Sequence, residues 1–178
     1  MKKVILKGPR VTLRPYLLTD APTFFRWFKD KEVVKYLGAP SPKSLKDEEK
    51  FVRKNQRRKN GHTFAVLNES EKLIGSAGIG FEEGVATLGI LVGEKKEWNK
   101  GYGTEIIKVL TQFGFAYKKV HRVQLKVSTE NIAAIQAYKK VGFVIEGTSR
   151  QAMKNFILHR YDDEHEMSIL RFEWLKQK

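Results

Sequence analysis

Along this chain, stretches of alternating apolar and polar residues give way to stretches with helical spacing, in a fixed succession. Val11-Thr12-Leu13-Arg14 alternates and predicts a first strand. Thr19 or Asp20 then caps a helix with Pro22 in its first turn, and Phe24, Phe25, Trp27 and Phe28 follow. A short helical piece is expected over Glu32 to Leu37. Ala39-Pro40-Ser41-Pro42 breaks the chain. Ser44 caps a helix expected to run to about Asn60 and to stop at Gly61. Glu48 sits in its first turn, where the helix dipole favours negative charge.

Three strand signals come next. They are Thr63 to Leu67, Leu73 to Phe81 with its three glycines, and Val85 to Val92. Glu82-Glu83-Gly84 joins the last two as an antiparallel hairpin. A helix from Gly101 to Tyr117 places Ile106, Leu110, Phe113, Gly114 and Tyr117 on one face. Val123 to Val127 alternates as a strand. Asn131 caps a helix to Val141, which Gly142 ends. Phe143 to Gly147 and His165 to Leu170 read as closing strands. This order predicts an α+β fold with a mixed, mostly antiparallel central sheet, flanking helices and one β-α-β crossover at its centre.

Composition narrows the class. A chain of 178 residues with 41% hydrophobic content fits a single globular domain over 1–178 with a sizeable core. No run approaches the roughly 18 apolar residues of a membrane span, so no membrane association is expected. The start, Met1-Lys2-Lys3-Val4-Ile5-Leu6-Lys7, lacks the long apolar region of a secretory signal. Cysteine is absent, which excludes disulfides, thiolate metal sites and a cysteine nucleophile. Together these features point to the cytoplasm.

The formal net charge is +14. It fits an anionic partner such as RNA, a ribosome, an acidic protein or a phosphorylated cofactor, and equally a lysine-rich solvated surface. The tightest basic group, Arg53 to Lys59, falls on a predicted helix and reads as a solvated face rather than a nucleic-acid site.

The chemistry concentrates at Trp98-Asn99-Lys100-Gly101-Tyr102-Gly103-Thr104-Glu105, between a strand signal and a helix. A glycine-bearing loop that opens a helix leaves several backbone N–H groups without intrahelical partners. Those donors, with the helix dipole, suit phosphate or pyrophosphate. Gly101 and Gly103 would let the backbone curl and a ligand approach closely. The plain alternative is an ordinary helix-start turn. There is no P-loop, and Gly78-Ile79-Gly80 is too short for a dinucleotide fingerprint.

Two motifs together resemble the GNAT superfamily of acyl-CoA-dependent N-acetyltransferases. Trp98-x-x-Gly101-x-Gly103 is similar to its pyrophosphate loop. Asn131-x-x-Ala134-x-x-x-Tyr138-x-Lys140-x-Gly142-Phe143 is similar to its second signature helix. They lie 28 residues apart, from Gly103 to Asn131, around a strand. The resemblance covers about residues 10 to 172. Val11 to Pro15, Lys100 to Glu105 and the closing Leu170-Arg171-Phe172-Glu173-Trp174 make the chain similar to the branch that acetylates ribosomal-protein N-termini. In two positions it departs: Trp98 replaces a Gln or Arg, and Leu88 stands where that branch often carries Glu.

The resemblance implies an acetyl-CoA cosubstrate, no metal, and a splayed pair of central strands. It implies that residues Trp98, Asn99, Lys100, Gly101, Tyr102, Gly103 and Thr104 grip the pyrophosphate, with Lys96 adding charge. Pantetheine would bond to the backbone of Ile90, Leu91 and Val92, and a backbone N–H at Leu91 or Val92 would polarise the thioester carbonyl. Tyr138 becomes the candidate general acid for the leaving thiolate, and otherwise a core tyrosine. Asn131 becomes a pantetheine contact, and equally a plain helix cap.

No base stands out among Glu82, Glu83, Glu94, Glu146 and His121. His159 and His165 show no metal-ligand spacing. Trp27, Tyr36, Leu37 and Phe156 are candidates for acceptor choice, most of them better explained as core. The implied acceptor is a protein N-terminal amine, with ribosome association and a homodimer as further expectations. A small amine such as a polyamine or aminoglycoside is the runner-up, and a non-enzymatic basic RNA-binding module the third reading.

Overall fold

The computed structural model describes residues 4–117 and 119–177. Its strands are β1 (Leu6–Lys7), β2 (Thr12–Pro15), β3 (Gly61–Leu67), β4 (Leu73–Glu82), β5 (Val85–Val92), β6 (Arg122–Ser128), β7 (Val144–Asn155) and β8 (Arg160–Leu170). The helices are α1 (Ala21–Lys29), α2 (Leu45–Gln56), α3 (Tyr102–Ala116), α4 (Ile132–Val141) and α5 (Arg171–Lys176). One eight-stranded sheet runs in the order β1-β2-β3-β4-β5-β6-β8-β7.

Every neighbouring pair is antiparallel except β5 and β6, which α3 connects. That parallel pair meets only over Val85 to Thr87 against Arg122 to Gln124. Beyond Thr87 the strands part, and Leu88 to Val92 keep a strand partner only on the β4 side. The splayed centre is therefore real, and it leaves an open backbone edge on β5.

The sheet faces differ. Against one face α3 and α4 build the main core, including Leu88, Ile106, Leu110, Leu125, Tyr138, Phe143 and Ile169. A second core holds α1 and α2 on the other face, from Tyr16, Phe24, Trp27, Val52 and Ala65, with Leu91 and Ile157 packed on it. Burying such side chains stabilises each by about 1.5–3 kcal/mol. Thr87 and Gly89 of β5 stay exposed, beyond the reach of either helical layer. Gly93, just past β5, must be glycine: a Cβ there would lie 2.0 Å from the Trp27 ring.

Several local expectations change. Val33 to Tyr36 form turns, with isolated bonds such as Leu37 N to Val34 O (3.0 Å), not a helix. The β-branched pair Val33-Val34 packs into the second core instead. Helix α2 ends at Gln56, and Gly61 opens β3, where a Cβ would meet the Ile79 carbonyl at 2.4 Å. Close strand approach, not a helix stop, explains that glycine. Asp20 makes no side-chain cap to α1. Its buried carboxylate accepts both Arg14 guanidinium nitrogens at 2.7 Å and the Leu17 N–H.

The last strands are far longer than their apolar patterns indicate. β7 and β8 form a hairpin of 12 and 11 residues, with register irregularities after Ile145 and Ser149. Residues 171–176 form α5, with Trp174 buried against Phe115. The basic group from Arg53 to Lys59 is exposed except for half-buried Asn55, in keeping with a solvated face. No helix among the described residues is long and apolar enough to cross a membrane.

Candidate active site

The open edge of β5 leads through a short 3-10 turn, Lys95–Glu97, into the loop that starts α3. Trp98 is half-buried, and its indole N–H donates to the Val92 carbonyl at 2.8 Å. Asn99 (φ 61°) and Gly101 (φ 85°) adopt the left-handed conformation. Two such residues so close together turn the backbone N–H groups to one side. Among the described residues, the N–H groups from Asn99 through Thr104 donate to no protein acceptor, and bonding resumes with Glu105 N to Gly101 O. A helix start with unsatisfied donors is an anion site.

Side chains brace this loop from below. Glu105 accepts from the backbone N–H groups of Arg10 (2.6 Å) and Val11 (3.1 Å), tying α3 to the first strands. Arg10 donates to the Lys100 carbonyl and lies over the Tyr102 ring at 4.8 Å. Tyr102 donates to Glu69 at 2.6 Å. That bond holds the phenol proton and pushes its pKa up to about 12. Lys100 pairs with Glu97, and Lys96 is exposed. At Gly103 a Cβ would meet nothing nearer than Ile90 Cδ1 at 3.9 Å, so the space above the loop is open.

Ile90 and Val92 pack against the same core as Tyr102 and Tyr138, whereas Leu91 turns to the opposite core. Tyr138 is buried on α4, beside Phe143 at 5.9 Å between ring centres. Burial pushes its pKa up to about 12, and its hydroxyl bonds to no described residue. Asn131 caps α4, its Oδ1 accepting from Ala134 N at 3.2 Å. The two motifs and the β5 edge thus meet on one side of the sheet.

The base candidates separate. Glu82, Glu83 and His121 sit at the β4–β5 hairpin and the start of β6, where His121 N donates to the Gly84 carbonyl. They lie at the end of β5 remote from Val92. Glu146 is there too, its carboxylate held by the Arg122 guanidinium and pulled down to about 2. Only Glu94 lies at the splayed end. Partial desolvation raises its pKa, but hydrogen bonds from Trp27 (2.8 Å) and Arg26 outweigh it and hold the carboxyl below its ordinary range. Leu88 points into the α3 core, and the residues aimed at the open face are its neighbours Thr87 and Gly89. His159 is exposed at the β7–β8 turn, and His165 pairs with Thr148 at 2.8 Å.

Trp27 is core, while Tyr36, Leu37 and Phe156 are half-buried near the hairpin tip. That tip docks on the turn before α2, where Asn155 donates to the Lys35 carbonyl at 3.0 Å. Sequence reading placed Glu48 in the first turn of α2, favoured there by the helix dipole, and did not foresee its burial. Glu48 is buried with Oε1 unbonded. Tyr16, just past β2, is buried in the second core. The available signal was the spacing of Glu48 four residues before Val52, which puts both on one helical face.

A family model described as an acetyltransferase (GNAT) domain matches residues 10–144. The chain is 27% identical over 172 residues to the uncharacterized N-acetyltransferase p20 of Bacillus licheniformis, covering 93% of this chain and 95% of that protein. It is 24% identical over 171 residues to spermidine N(1)-acetyltransferase of Vibrio cholerae, covering 94% and 97%. The solved spermidine N-acetyltransferase from Vibrio cholerae in complex with CoA and spermine superposes with a TM-score of 0.82 at 24% identity, over 93% of this chain and 98% of that one.

Proposed function

Because this chain belongs to the GNAT acetyltransferase family and is an acetyl-CoA-dependent N-acetyltransferase, we propose that its acceptor is a protein N-terminal amine, a ribosomal protein among the candidates. The observation that carries the cosubstrate half is the row of unsatisfied N–H groups from Asn99 to Thr104 beside the unpaired edge of β5. Acetyl-CoA supplies an acetyl group activated as a thioester. The loop donors suit its pyrophosphate, with Lys96 and Lys100 adding positive charge. Backbone groups of Ile90 to Val92 suit the pantetheine amides, and Asn131 borders the same gap.

For the chemistry, an N–H at Leu91 or Val92 stabilises developing oxyanion charge. Tyr138 donates its phenol proton to the leaving sulfur, and its raised pKa keeps that proton in place until the thiolate forms. Positioning supplies much of the remaining acceleration.

The open face over Thr87 and Gly89 supports an extended acceptor such as a peptide end. The net charge of +14 repels a polycation at long range and favours a neutral or acidic acceptor. The similarity to a spermidine acetyltransferase favours a second reading, a small polyamine.

Thiol release from acetyl-CoA, measured with ribosomal N-terminal peptides, spermidine and an aminoglycoside, decides between them. Turnover confined to peptides, slowed at least about tenfold by Tyr138→Phe, supports the proposal. Turnover confined to spermidine or the aminoglycoside replaces it with the second reading.

A further inference from the structure

A buried amide that uses all of its hydrogen-bonding capacity is fixed in place, and it fixes the segments it bonds to. Asn155, near the tip of the β7–β8 hairpin, is such a group, at 1% exposed. Its Oδ1 accepts from Ile157 N (3.1 Å) and Leu158 N (2.9 Å), which shapes the tip. Its Nδ2 donates one hydrogen to the buried Asp162 carboxylate (2.6 Å) inside the hairpin. The other hydrogen goes out of the hairpin, to the Lys35 carbonyl on the connector between α1 and α2.

The hairpin reaches far to make that last bond. β6 ends at Ser128, opposite Glu164 of β8, so Arg160 to Asp163 and the tip project past the splayed end of the sheet. β6 separates β8 from β5, yet Ile157 of the tip joins Leu37 and Leu91 on the second core. The tip therefore arches across the mouth of the β5–β6 gap and lands on the connector. There a Cβ at Gly38 would lie 2.9 Å from Met153 Cγ. On the other flank Arg160 holds Asp162 (2.6 Å) and also Glu130, the residue before the α4 cap.

The arch stands on the face opposite the anion-binding loop. Ile90 and Val92 face the α3 core together with Tyr102, and alternation turns Thr87, Gly89 and Leu91 the other way. With acetyl-CoA in the gap from the α3 side, the other face is left for the amine. An acceptor arriving there meets an open floor at Thr87 and Gly89 and, at its upper end, a wall of Leu91, Leu37 and Ile157.

We propose that Asn155 is the positioning residue of the acceptor cleft. By joining the hairpin tip to the connector it keeps the arch rigid, and the arch is the wall against which the acceptor binds. The inference rests on the acetyl-transfer reading above. Asn155 touches no reacting atom and acts through Ile157 and Leu37. Without the bridge, the acceptor has to order the arch as it binds, a cost that weakens binding and leaves the chemical step intact.

Two variants separate the bridge from the hairpin's own stability. Asn155→Ala removes all four bonds. The double variant Asn155→Asp with Asp162→Asn keeps an oxygen for Ile157 N and Leu158 N and reverses the bond between the two side chains, so the donor to Lys35 is what it lacks. Both are measured with whichever acceptor the native enzyme turns over. Each should raise the acceptor KM at least about tenfold, with kcat and the acetyl-CoA KM within about threefold of native. The double variant should lose less than half as much Tm as Asn155→Ala, and acetyl-CoA should raise the Tm of both as it does that of native protein. A native acceptor KM in either folded variant overturns the proposal and makes Asn155 structural. A parallel rise in the acetyl-CoA KM overturns it too, because the damage then reaches the cofactor side. Native protein that turns over no acceptor and gains no Tm from acetyl-CoA overturns instead the reading beneath it.

Discussion

Trp27 donates its indole N–H to Glu94 Oε1 at 2.8 Å, while its ring covers Gly93. One residue of the first helix thereby fixes the segment that carries β5 into the anion-binding loop. The contact ties α1 to the end of β5, beside the ion pair of Arg26 with Glu94.

Gly93→Ala tests that contact. The new methyl would lie 2.0 Å from the indole, in a layer with no room to yield. The expected loss is about 3 kcal/mol, read as a lower urea midpoint with unchanged m.

Gly103→Val separates binding from folding. The position has open space in the protein, so stability should fall by no more than about 1 kcal/mol, chiefly from the lower helix propensity of a β-branched residue. Protection by acetyl-CoA in a thermal shift should disappear, because the side chain fills the approach to the loop donors. Gly101→Ala should cost about 1–2 kcal/mol of strain at φ 85° even without ligand.

Arg14→Met removes one partner of a bidentate pair and leaves the Asp20 carboxylate buried. A drop of about 3 kcal/mol or more in unfolding free energy is expected. The double variant Arg14→Met with Asp20→Asn should recover a large part of it, since no uncompensated charge remains.

Glu48 sets a pH dependence whose sign is the reverse of a salt-bridged carboxylate. Its pKa is about 7 in the fold against an ordinary 4.5, so between these values the native state holds the extra proton. Stability is greatest below about 4.5 and declines as pH rises through about 7, by about 3 kcal/mol in all. The stability difference between Glu48→Gln and native should therefore be widest above pH 7 and shrink toward pH 4.5, as measured by urea unfolding across that range.

Legibility of the chain followed locality. Ser44 and Asn131 cap their helices as their types indicate, accepting from Asp47 N and Ala134 N. The left-handed Gly101 and Gly142 sit where the motif and the helix stop require them. The β7–β8 hairpin was half-hidden because Glu146 to Gln151 are polar or small on an exposed edge strand and leave no alternation to read. The two residues of β1 are too few to show any period, and Asp20 reads as a cap until Arg14 is seen beside it.

The sequence alone determined the types of most elements, though not the turns over Val33 to Tyr36 or the helix α5, together with the crossover around the glycine loop, and through two spaced motifs the family and its cosubstrate. These depend on backbone conformation and periodicity, which residues a few positions apart dictate. The tertiary structure alone decided which carboxylates share the splayed end with Leu91. Glu82, Glu83 and Glu146 are as acidic in sequence as Glu94, yet strand length carries these three to the opposite end of β5. Burial, which lifts Glu48 toward neutrality, arises where α2 packs against α1 and β3, contacts that no local pattern encodes.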